Sequence, residues 1–170
     1  MGYAELNDGL PRRGFLVDTD RLSQEQREST CRAVLRAVAS DAVLFETDIP
    51  GGSRRDEWTS EHRDAVNRLL AAAVDVKGRH RRGRETYAQT GVLHKVDDLV
   101  WDAFVVAAPH AFDASVWATE DIHVEPIVQL ADESQSIFVR LTSEQRADLG
   151  QVIDAQSLVP YQRRRRPAHP

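Results

Sequence analysis

The stretch from Ser115 to Asp154 constrains the fold more than any other part of the chain. It reads as an apolar strand, a polar turn, a second apolar strand and a capped helix. Ile127 to Leu130 and Ile137 to Leu141 are rich in β-branched and large apolar residues, and the five residues Ala131 to Gln135 between them suit a hairpin loop. In the second strand Ile137, Val139 and Leu141 share one face, with Phe138 and Arg140 on the other. Thr142 then offers a hydroxyl to a free helix N–H, and Gln145 can return a bond to the cap backbone. A helix is expected there, with an apolar stripe of Leu149, Val152 and Ile153 that ends before Pro160. The strand before the hairpin is expected over about residues 115 to 125.

The same start signal occurs twice more. In LSQEQR, Ser23 and Gln26 predict a helix that turns Cys31, Val34, Leu35 and Val38 inward. In WTSEHR, the signal opens a second helix from Ser60 to about Val74, presenting Val66, Leu69, Leu70 and Ala73. The flanking residues differ and the spacings are unequal, so these are three separate helix starts and not a solenoid. Ala42 to Thr47 reads as a short strand, with Ile49 to Ser53 as its break. Over residues 92 to 107, Val92, Val96, Leu99, Ala103 and Phe104 fit one helical face, although the run LVWDAFVVAA would also suit a buried strand.

These elements predict an α+β fold: an antiparallel sheet of about four or five strands packed against three or four helices. At 170 residues the chain suits one domain that buries roughly 70% of its unfolded surface. The expected division is an irregular arm over 1–20 with a short strand at Gly14 to Val17, a domain over 21–160, and a disordered basic tail over 161–170. Cys31 is the only cysteine, which excludes an intrachain disulfide framework and a multi-cysteine zinc site. No stretch approaches the roughly 20 apolar residues of a membrane span, and the N-terminus has no apolar signal core. A soluble, cytoplasmic protein with no cofactor is expected.

Charge is the least ordinary feature. The net charge of -5 conceals two basic runs, one holding Lys77, Arg79, Arg81, Arg82 and Arg84 and one running from Arg163 to Arg166. From Val96 to Val139 there are nine carboxylates and no Lys or Arg. Like charges gathered without partners repel each other, so a cationic partner, a divalent metal or salt is expected to offset them. The favoured expectation is a non-catalytic interaction protein of the immunity, antitoxin or inhibitor type. It would bind a basic partner protein through Asp97, Asp98, Asp102, Glu120, Asp121 and Glu125.

Two alternatives use other residues. Asp121, His123 and Glu125 alternate on the expected strand, while His94, Asp98 and Asp102 stand four apart on the expected helix. If the two elements faced each other, Asp98, Asp102, Asp121, His123 and Glu125 could surround a metal in a small hydrolase or nuclease. The bland reading of each trio is the solvated face of an amphipathic element. In the second alternative, Lys77, Arg79, Arg81, Arg82 and Arg84 contact phosphate, with the tail, in a nucleic-acid-binding regulator; little aromatic interleaving accompanies them. Arg55 and His62, separated by six residues, resemble in spacing the Arg and His pair of a class of small helical ribonucleases; the likeness covers those two residues. No GxSxG, phosphate-cradling glycine loop or Rossmann fingerprint is present.

Overall fold

The computed structural model describes residues 11–50, 57–74, 80–82 and 85–161. The elements in chain order are β1 (Arg13–Val17), α1 (Gln24–Ala37), β2 (Leu44–Pro50), α2 (Ser60–Ala72), β3 (His80–Arg82), β4 (Glu85–Gln89) and β5 (Leu93–His94). They continue with α3 (Asp98–Ala107), β6 (Asp113–Trp117), β7 (Val128–Ala131), β8 (Ser136–Leu141), α4 (Ser143–Leu149) and β9 (Leu158–Pro160). The class is α+β, as expected, but the sheet is larger. Eight strands follow one another in the order β3-β4-β2-β6-β7-β8-β1-β9, and the two-residue β5 pairs beside β4 on β2. Every pairing is antiparallel.

The local signals explain much of this. Ser23 and Gln26 form the anticipated reciprocal cap of α1, and Cys31, Val34, Leu35 and Val38 are fully buried. Thr142 and Gln145 do the same for α4. The β7–β8 hairpin pairs Ala131 with Ser136 and sends Ile137, Val139 and Leu141 inward. Alternate strand residues, among them Phe15, Phe45, Val116 and Val128, join the helices in one core. There Phe45 meets Trp101 and Phe104, with ring centroids 5.4 and 4.7 Å away.

The short strand expected at Gly14 to Val17 is β1, which begins at Arg13 and lies between β8 and β9. Four other expectations are corrected. The strand before the hairpin ends at Trp117 and not near 125. Thr119 Oγ1 accepts from the backbone N–H of Asp121, and Asp121 Oδ1 accepts from that of His123, so local side-chain bonds bend the chain out of the sheet. Asp121, His123 and Glu125 therefore do not alternate on a strand. His94 belongs to β5, so only Asp98 and Asp102 of the second trio share a helix. Finally, α4 stops at Leu149, leaving Val152 exposed, and the chain turns to add the edge strand β9. The extensive sheet also departs from the helical architecture that the ribonuclease spacing implies.

Candidate functional site

Two places combine exposure with unusual chemistry. The first surrounds the start of α3. Asp97 caps this helix by accepting from the Leu99 N–H at 2.8 Å, so the helix begins at Asp98, later than the apolar pattern suggested. The shift changes which residues turn outward. Trp101, Phe104 and Val105 enter the core, while Val96 and Leu99 remain 88% and 59% exposed.

A second segment arrives beside them through the sheet. The Val43 carbonyl accepts from the Lys95 N–H, and the Val43 N–H donates to the Trp117 carbonyl, both at 2.8 Å. The chain leaving Trp117 therefore starts next to the chain entering α3. Trp117 is buried on the sheet face opposite the main core, and its indole N–H donates to the Val124 carbonyl at 3.2 Å. Above it the loop exposes Glu120, Asp121, Ile122 and His123. His94 Nδ1 lies 3.3 Å from Glu120 Oε2, which ties the two acidic segments together.

Asp97, Asp98, Asp102, Glu120 and Asp121 are exposed on these two segments, as are Val96, Leu99 and Ile122. The cation beside Asp98, Lys95, is largely covered: Nζ lies 5.3 Å from the centroid of the Trp101 ring and 4.0 Å from Asp98 Oδ1. Part of the expected repulsion is offset within the fold, because Asp97 and Asp98 stand at the positive end of the α3 dipole.

The other carboxylates of the acidic span lie elsewhere. Glu125 is ion-paired with Arg140 on β8. Asp113 faces Glu46 and Asp48 around a small cavity of about 240 Å³ on the sheet. Burial raises the Glu46 carboxyl above its usual range, with Asp48 and Asp113 adding to the shift. Asp132 and Glu133 sit in the β7–β8 turn. Among the described residues, no three His, Cys, Asp or Glu side chains are gathered in a way that could hold a metal. Arg81 and Arg82 lie on β3, whereas Lys77, Arg79, Arg84, Arg55 and residues 162–170 of the tail fall outside the described residues.

The second place is a cavity of about 890 Å³ between α1 and the start of α2. His62 sits on the buried stripe of α2 with Ala65, Val66 and Leu69. Its ring lies between Trp58 and His110, with centroids 4.3 and 4.2 Å away. The side chain is 4% exposed, and Nε2 has no hydrogen-bond partner. Burial, reinforced by His110 and Arg32, lowers its pKa to about 4.

His110 ends the one-turn 3₁₀ helix Ala108–His110, and its Nδ1 lies 3.6 Å from Glu28 on α1. Burial lowers its pKa as well, against the opposing pull of Glu28. The segment is anchored from the hairpin turn, where Asp132, Glu133 and Ser134 all have φ between 53 and 64°. Such left-handed backbone costs a non-glycine residue on the order of 1 kcal/mol or more. Three bonds hold it there. The Asp132 and Glu133 N–H groups donate to the Phe112 and Ala111 carbonyls, and buried Ser134 donates its hydroxyl to the Pro109 carbonyl at 2.8 Å.

Sequence reading missed this second place because its members lie on separate elements. The one local signal was a histidine on the apolar stripe of α2. Comparison with protein-family models, characterised proteins and solved structures finds no match.

Proposed function

We propose that this chain is a non-catalytic interaction protein of the immunity, antitoxin or inhibitor type, acting in the cytoplasm, whose patch around the start of α3 binds a basic partner protein. The observation that carries this reading is the meeting of two acidic segments at His94 and Glu120, with Val96, Leu99 and Ile122 exposed between carboxylates. Apolar side chains that lose water on docking supply affinity, while the surrounding charges steer approach and select the partner. Asp97, Asp98, Asp102, Glu120 and Asp121 supply that charge; Glu125, paired with Arg140, contributes less. Cys31 is fully buried, and burial pushes its thiol up to about 12, so it takes no part. Among the described residues no helix is long and apolar enough to cross a membrane.

The experiment is parallel capture from the native host at low salt, using the wild type and a variant carrying Asp97→Asn, Asp98→Asn, Glu120→Gln and Asp121→Asn. A basic protein retained by the wild type and released by the variant supports the reading. Equal retention by both contradicts it.

A further inference from the structure

We propose that the cavity between α1 and α2 is a second, independent site that binds a small molecule through an oxyanion, a phosphate or carboxylate group held between His62 and Arg32. The first support is the unpartnered imidazole. A ring nitrogen removed from water without a hydrogen bond forfeits the hydration it had in the unfolded chain. His62 Nε2 is in that state while its side chain lines an open cavity. A ligand oxygen would supply the missing partner.

The charge around the ring indicates which kind of oxygen. His110 and Arg32 both act against a positive charge on His62. Glu28 of α1, which also lines the cavity, is already shared, lying 3.6 Å from both Arg32 and His110. An incoming anion would let His62 hold its proton and donate to that anion, and the guanidinium of Arg32 can pair with the same group. Arg36, one turn further along α1, lines the same cavity.

The acidic groups at this cavity limit how much negative charge the ligand can carry. Glu57 and Glu61 are exposed at its edge, and Glu133 reaches it from the hairpin turn. They disfavour a polyanion such as nucleic acid and leave room for a compact molecule bearing one anionic group. A volume of about 890 Å³ falls within the ordinary range for small-molecule sites. Trp58, half-buried and tilted against the His62 ring, gives the cavity an aromatic wall.

The test is an NMR titration of the histidine ring protons in the full chain, with inorganic phosphate and acetate as separate probes and sodium chloride as the control for screening. The expected result is a saturable shift of the His62 signals with at least one probe and a rise of its protonation midpoint from about 4. The stronger probe identifies the anionic group. Arg32→Gln should abolish saturation and Arg36→Gln should weaken it, so one informative variant remains if the other unfolds. No saturable shift with either probe overturns the proposal. So does an equal shift with chloride, or an unchanged response in a folded Arg32→Gln protein.

Discussion

His94 Nδ1 stands 3.3 Å from Glu120 Oε2, and through that contact the turn before α3 and the loop after β6 share one surface. Both side chains are more than half exposed, so the pair adds little to stability. It marks where the two segments meet. Of the carboxylates on either side, Asp98 lies 4.0 Å from Lys95, and Val96, Leu99 and Ile122 are exposed on the same two segments.

His62 makes stability sensitive to acid. In the unfolded chain the imidazole takes a proton near 6.5, and in the folded chain near 4. Between those values the unfolded state binds more protons, so stability is complete above the upper value and falls as pH drops toward the lower one. The loss approaches about 1.4 kcal/mol per pH unit, on the order of 3 kcal/mol in total. The lowered pKa of His110 acts in the same direction. His62→Phe keeps a ring against Trp58 and His110 without a titrating group. Urea unfolding across this pH range should give a shallower acid-side slope for the variant than for the wild type.

Arg12 is held from two directions. Its Nη2 pairs with Asp41 at 2.7 Å and its Nη1 donates to Gln145 at 2.9 Å, while Gln145 Nε2 donates to the same Asp41 oxygen at 2.5 Å. The Arg12 side chain is 1% exposed, and its guanidinium lowers the Asp41 pKa despite the opposing effect of burial. Removing a carboxylate from a buried charge costs roughly 3 kcal/mol or more. Asp41→Ala should therefore lower unfolding free energy by about that amount at neutral pH. The difference should shrink as pH falls below 3.8, where the unfolded chain's carboxyl takes a proton that the folded one, beside Arg12, takes only in stronger acid.

Ser134 holds the hairpin turn against the segment that carries His110. Ser134→Ala removes a buried donor and leaves the Pro109 carbonyl without that bond, at a cost of about 1–3 kcal/mol. Thermal unfolding should show the loss. Hydrogen exchange should localise increased opening to residues 108–112 and 132–135, with α4 unchanged.

Features settled by neighbouring residues were legible in the sequence. Ser23 with Gln26, and Thr142 with Gln145, act within one helical turn, and the alternation through Ile137, Val139 and Leu141 needs only its own strand. Boundaries set by competing local bonds were harder to read. The apolar periodicity of Val92, Val96 and Leu99 suggested an inward face, but the Asp97 cap starts α3 later and leaves Val96 and Leu99 outside. Thr119 and Asp121 bend a chain that alternation alone read as strand.

Contacts between distant segments left almost no trace. The acidic span was visible as composition, but its division became clear only when Glu125 met Arg140 and Asp113 joined Glu46 on the sheet. His110 meets His62 across separate elements, and Ser134 fixes Pro109 from a hairpin. Of these residues, His62 alone carried a local sign, its place beside Ala65, Val66 and Leu69 on one helical face.

The most direct test of the docking surface is titration calorimetry of the captured basic protein at low and physiological salt. The wild type should be compared with the four-fold neutral variant and with Leu99→Ser. Neutralisation should weaken binding at least about tenfold at low salt and remove most of its salt dependence, and Leu99→Ser should weaken it at both salts. Unchanged affinity in both variants would contradict docking at this surface.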